Sequence, residues 1–297
     1  MSNLLKLLAG AAVVAVPVAA AAQTAGRNLP TRYVQEAQRQ HAAVLEEFGG
    51  AETGARGSYV EGIGRRVALH SGVNPGAFRF TTLNSAVENA FAVPGGYIYI
   101  TRQLMSVMND EAELAFVLGH EAAHVAANHA QARQSTAQRN AIGGILGTIL
   151  GSVIGGGLGN VIGQLAQTGT QLSTLRFSRA QEYDADRLGI QYITRSGYDP
   201  AASASMLAAL GRATALEARV QGRDSRSTPE WASTHPLSEN RVRQASQMAR
   251  ATGRAGAGLR NRDAFLNQLE GVFVDDDPAQ GVIEGRTFIH PDLRLAF

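Results

Sequence analysis

The five residues His120-Glu121-Ala122-Ala123-His124 constrain this chain more than any other stretch. Residues four apart share a helix face, so both histidines can point at one ion while Glu121 reaches a water beside it. Zinc suits that arrangement. It lowers the pKa of a water from 15.7 to about 7, and a nearby carboxylate then takes the proton as the water attacks a carbonyl. The pattern is short, so its surroundings decide what it means, and they are helical. Asp110 can cap a helix, with Glu113 three positions on as the reciprocal partner of a capping box. Leu114, Val117, Leu118 and Val125 follow at helical spacing, which predicts one buried stripe, and no Gly or Pro interrupts residues 111–118.

Two histidines are half a site, because a catalytic zinc usually has three protein ligands and one open position. His129 lies five residues past His124, well round the helix from the first two. A metzincin spelling would need Gly at 127 and His at 130, where the chain has Ala127 and Ala130. His129 is therefore read as a helix-end residue or one that stands behind a ligand. The better third ligand lies in Ser178-Arg179-Ala180-Gln181-Glu182-Tyr183-Asp184-Ala185-Asp186. Glu182 and Asp186 are four apart on a second helical stretch. Glu182 can bind the metal, and Asp186 can accept the free ring N–H of a ligand histidine and so set its tautomer. The plain alternative for such a pair is a solvated helix face.

H-E-x-x-H followed downstream by E-Y-x-A-D resembles the gluzincin family of HtpX and the CAAX prenyl endopeptidases. The resemblance is strongest to its soluble branch, the periplasmic BepA/YfgC-type zinc metalloproteases. It runs from about residue 30 to about residue 250. It includes Asn89-Ala90-Phe91-Ala92-Val93-Pro94-Gly95-Gly96-Tyr97-Ile98-Tyr99-Ile100, Arg187-Leu188-Gly189 after Asp186, and His235-Pro236 with Arg241 beyond. The resemblance implies that the strand starting at Asn89, Ala90, Phe91 and Ala92 is an edge that pairs with substrate backbone. It also implies that His235 lies over the zinc with Arg241 near it. There His235 either hydrogen-bonds the developing oxyanion or fills the open metal position and silences the enzyme. A lone His beside Pro in a loop is otherwise most often structural.

Residues 1–22 form an apolar Leu/Ala/Val run that ends Ala20-Ala21-Ala22, the pattern of an export signal peptide. Of 27 Lys+Arg against 25 Asp+Glu, only Lys6 falls in that leader, so the rest is nearly neutral and nucleic acid is not expected as a partner. The chain has no cysteine, hence neither disulfides nor a lipid-anchored N-terminal Cys. Helices are predicted over 31–48 and 58–70, a strand over 78–83, and a hairpin joining 89–93 to 97–101 through Pro94-Gly95, residue types of a type II turn. Asp199-Pro200 opens a further helix. Residues 251–258 read as a linker. Residues 256–297 read as a small extension, an incomplete accessory module with one short helix and strand-like pieces.

Residues 141–164 form a tandem tetrapeptide, AIGG-ILGT-ILGS-VIGG-GLGN-VIGQ, with no charge between Arg139 and Arg176. Each Gly costs about 0.8–1.0 kcal/mol against Ala in a helix, so an exposed helix here should fail in water. Two readings stand: a flap packed on the protein's own surface, and peripheral membrane contact through closely packed Gly ridges.

The expected fold class is α+β, a mostly helical zincin with a small β-sheet, spanning residues 23–255. The expected function is zinc-dependent endopeptidase action in the periplasm with one zinc per chain. His120, His124 and Glu182 would hold the metal, Glu121 would be the general base, and Asp186 would orient a ligand histidine. The resemblance implies substrates among misfolded or misassembled outer-membrane and envelope proteins. The alternative is an envelope assembly factor whose zinc site is largely latent.

Overall fold

A computed structural model describes residues 26–132, 177–220, 234–235, 239–275, 281–284, 286–290 and 293–297. The leader at 1–22, the repeat at 141–164 and Pro236 lie outside them. The described chain opens with helices α1 (Thr31–Glu47) and α2 (Ala55–Ala68) and strand β1 (Arg79–Leu83). Hairpin β2 (Ala90–Val93) and β3 (Tyr97–Thr101) follows, then α3 (Arg102–Ser106) and α4 (Glu111–Ala126). Downstream lie α5 (Arg179–Arg195), α6 (Ala202–Val220), α7 (Glu239–Ala251) and α8 (Arg262–Leu269). The last elements are β4 (Val282–Glu284), β5 (Thr287–His290) and β6 (Leu295–Ala296). This is the expected α+β class.

The first sheet has the order β1-β3-β2, with β1 parallel and β2 antiparallel to β3, so β2 is an edge as expected. Its turn follows the predicted chemistry. The Gly96 N–H donates to the Val93 carbonyl, and Gly95 and Gly96 both have positive φ, at 116° and 93°. Alternation sorts the side chains to two faces. Phe80, Ala90, Ile98 and Ile100 join Val60, Ile63 and Val67 of α2 and the apolar residues of α4 in the main core. Leu83, Val93 and Tyr99 pack on Ala37, Val44 and Phe48 in a smaller core beneath α1.

Two expectations for α4 need correction. Its burial is not a stripe: every residue from Glu111 to Val125 is buried, because α2, the sheet, α5 and α6 surround it. Asp110 does cap the helix, its side chain accepting from the Glu113 N–H at 3.1 Å. The Glu113 carboxylate, however, reaches back one residue further, accepting from the Asn109 N–H at 2.8 Å.

The stretch read as a linker is packed in place. The Gly256 N–H donates to Asp199, and a Cβ at Gly258 would lie 2.2 Å from the Asp199 nitrogen. Phe265 of α8 is fully buried in the main core. Arg56 donates to the carbonyls of Gln268 and Glu270, and buried Arg102 donates to that of Phe273. The packed unit therefore runs past the boundary drawn at 255. β4, β5 and β6 form a second, antiparallel sheet with Leu293, Leu295 and Phe297 exposed. Among the described residues no helix is long and apolar enough to cross a membrane.

Candidate metal centre

The site begins where α4 and α5 touch. A Cβ on Gly189 would come within 3.1 Å of the His120 nitrogen. Glycine there lets the two backbones meet beside the first histidine. α5 starts cleanly at Ser178, whose side chain accepts from the Gln181 N–H while the Gln181 side chain accepts from the Ser178 N–H, a complete capping box. One turn in, Glu182 faces α4.

Four side chains converge there. His120 Nε2 lies 3.0 Å from His124 Nε2 and 3.3 Å from His235 Nδ1. Glu182 Oε1 is 3.0 Å from His235 Nδ1 and 3.5 Å from His124 Nε2, and its Oε2 is 3.5 Å from His120 Nε2. One donor atom from each residue falls within 4.8 Å of all the others, and all four residues are buried. A tetrahedron with bonds of about 2.0–2.1 Å has edges of about 3.3–3.4 Å. The donors are therefore spaced to fit one four-coordinate divalent cation.

Their charges suit that role. Burial pushes the Glu182 carboxyl up, but His235, His120 and Arg241 outweigh it and hold it well below the usual range. Burial holds His124 well below its ordinary value, and the neighbouring His120 adds to the effect, so its ring is neutral. For His120 burial also acts downward, yet Asp186 and Glu182 prevail and bring it up to about 9. A cation would displace that proton.

Around the donors lies a ring of supporting contacts. His120 turns Nδ1 to Asp186 Oδ1 at 2.9 Å. Arg241, on α7, binds Asp186 through Nε and Nη2 at 2.8 and 2.7 Å and Glu182 Oε2 through Nη1 at 2.8 Å. Glu121 is buried and is not one of the four donors. Its Oε1 lies 3.5 Å from His235 Nε2, so His235 spans the donor set and this carboxylate. The Phe177 ring lies on that of His124, centroids 3.8 Å apart.

His129 comes closer than a helical wheel allows. α4 stops at Ala126 and Asn128 takes a left-handed conformation, φ 54°, which turns the chain so that His129 Nδ1 meets His124 Nδ1 at 3.0 Å. Asp184, which the sequence reading passed over, lies 3.4 Å from His129 Nε2. An acid two residues before Asp186 was the only local signal for it, and that signal is weak.

The Asn89–Ala92 stretch enters differently. The Asn89 carbonyl accepts from the Thr101 N–H at 3.0 Å, the Asn89 N–H donates to Thr101 Oγ1 at 3.2 Å, and β2 packs beside α4. Phe91 stacks on Tyr99 at 4.9 Å and lies tilted against Phe48 at 5.4 Å, in the smaller core. Among the described residues β2 lies at the edge of its sheet.

An H-E-x-x-H helix joined by a glutamate and a histidine from later elements defines a metallopeptidase centre. Residues 55–249 match the model of Peptidase family M48, and the chain belongs to that family. It is similar to the Beta-barrel assembly-enhancing protease of Escherichia coli (strain K12), 34% identical over 195 residues, covering 64% of this chain and 38% of the relative. The Yersinia pestis protein of the same name is 33% identical over 194 residues, with 64% and 38% covered. Metalloendopeptidase OMA1, mitochondrial, of Danio rerio is 31% identical over 169 residues, 56% of this chain and 34% of the relative. The chain spans 38% or less of the length of these relatives.

Proposed function

We propose that this chain is a zinc-dependent endopeptidase of the periplasm that cleaves misfolded or misassembled envelope proteins, outer-membrane proteins among them. The observation that carries the chemistry is the buried convergence of His120, His124, Glu182 and His235 with Glu121 beside it. Two imidazoles and a carboxylate, with a third imidazole in the remaining direction, are the donor types zinc selects. The apolar leader with its A-x-A ending supports export. The similarity to proteases named for β-barrel assembly supports the substrate class.

Bound there, zinc would polarise the scissile carbonyl and make a nearby water acidic enough to attack it near neutral pH. Glu121 takes the proton from the attacking water and returns it to the leaving amine nitrogen. Asp186 holds the Nδ1 proton of His120, leaving Nε2 free as a ligand. The side of β2 that has no strand beside it among the described residues aligns an extended substrate segment by strand addition. Casein cleavage and metal content of the mature protein, with and without chelator, test this reading. Glu121→Gln should keep zinc and fold but lose turnover by about 10²-fold or more. Loss of zinc in that variant would make Glu121 a ligand and overturn the assignment.

A second reading, a resting enzyme that is latent, is favoured by one contact. His235 Nδ1 is 3.0 Å from Glu182 Oε1 and 3.3 Å from His120 Nε2, where it would complete the four-coordinate set. On this reading His235→Ala raises casein cleavage and sensitivity to small chelators. Lower turnover with zinc retained would instead assign His235 to the oxyanion.

A further inference from the structure

The two histidines of α4 are backed in different ways. His120 places Nδ1 directly on the Asp186 carboxylate. His124 places Nδ1, the nitrogen facing away from the donor set, 3.0 Å from His129 Nδ1. Two ring nitrogens form a hydrogen bond only when one carries a proton and the other does not. If His124 Nε2 gives its lone pair to a cation, Nδ1 must carry the ring proton and donate it. His129 Nδ1 is then the acceptor, so the His129 proton sits on Nε2, which lies 3.4 Å from Asp184 Oδ2. His129 is also anchored through its backbone. Its carbonyl accepts from Gln181 Nε2 at 2.9 Å, and Gln181 belongs to the capping box of α5. His129 is only 7% exposed, so water competes poorly for its ring.

We infer that His129 is a positioning residue for the metal. With Asp184 it forms a relay, carboxylate to imidazole to imidazole, that sets the tautomer and ring plane of His124. This rests on the reading of His124 as a ligand. Ligand histidines commonly hand their second N–H to a carboxylate or carbonyl. Here a neutral ring is interposed, linking an aspartate whose side chain is 38% exposed to a histidine in the core.

Zinc binding, not turnover, is the readout. The full chain is stripped of metal and titrated with zinc against a chromophoric chelator, and zinc-loaded protein carrying ¹⁵N-histidine reports the ring protons. His129→Phe keeps a ring but removes the acceptor. It should lower zinc affinity about 10–100-fold and abolish the His124 Nδ1–H resonance. His129→Gln supplies a carbonyl acceptor and should restore most of both. Asp184→Asn should weaken affinity by up to about tenfold and shift the His129 Nε2–H resonance. Equal losses in the Phe and Gln variants, or wild-type affinity in the Phe variant, overturn the relay. His124→Ala tests the underlying reading separately. Wild-type zinc affinity there removes His124 from the ligands, whereas lost affinity there beside wild-type affinity in His129→Phe removes only the relay. Should His129→Phe not fold, Asp184→Asn decides, and an unshifted His129 Nε2–H overturns the proposal.

Discussion

Asp184 and Asp186 sit two residues apart on α5, and each stands behind a histidine of α4, yet the surroundings of the two carboxylates are opposite. Asp186 is fully buried, while the Asp184 side chain is 38% exposed. The buried one belongs to a closed charge set. Burial pushes Asp186 up, but Arg241 and His120 prevail and hold it below the usual carboxylate range. The exposed one pairs with Arg187 and, among the described residues, meets the site through His129. The contrast has a physical lesson. A carboxylate can lie directly on a ligand in the core where a buried cation answers its charge. Towards solvent, an intervening imidazole makes the connection and leaves the charge hydrated.

The largest effect is expected from breaking the buried half. Arg241→Met removes the guanidinium that binds both Glu182 and Asp186 and should cost about 3–5 kcal/mol of stability in the metal-free chain, measured by denaturant unfolding. Stability within experimental error of wild type would show that the charge set is not closed by Arg241. Next, Asp186→Asn keeps an acceptor for His120 but removes the charge, and should reduce zinc affinity about 10–100-fold. Its loss should exceed that of Asp184→Asn, and equal losses would erase the distinction between the two carboxylates.

Per pH unit, the smallest effect is a pH dependence. His120, brought up to about 9, carries a proton in the metal-free protein below that pH, whereas burial keeps His124 neutral. Zinc must then displace one proton from His120 and none from His124. Apparent affinity should fall about tenfold per unit as pH drops below 9, and Asp186→Asn should move the onset of that slope downwards. A slope unchanged in the variant would mean that Asp186 does not hold the proton.

Much of the scaffold was readable because it depends on near neighbours in the chain. Asp110 caps α4 through an N–H three residues away, and Val93 and Tyr97 pair across a turn that Pro94 and Gly95 dictate. His120 with His124, and Glu182 with Asp186, share helix faces by the four-residue rule alone. Charge composition showed no basic excess for nucleic acid, and the absence of cysteine ruled out disulfides. Where the prediction failed, the decisive contact was distant. α4 is buried all round because elements from both sides of the 133–176 interval enclose it, which periodicity within the helix cannot reveal. By contrast, His129 lies just past the helix end and against His124, in keeping with its reading as a helix-end residue or one behind a ligand, and the turn at Asn128 brings it there.

Spacing along the chain alone therefore shows which helix presents the two histidines, where Glu121 sits between them, and which later carboxylates can face them. How those residues are supported follows from the packing of distant elements. That packing brought Arg241 onto Glu182 and Asp186, set His235 between the donors and Glu121, and closed residues 256–273 over the core. The reason is one of range. Helix spacing and turn chemistry act over three or four residues, whereas buried charges must be neutralised by whatever the folded chain brings near, at any separation along it.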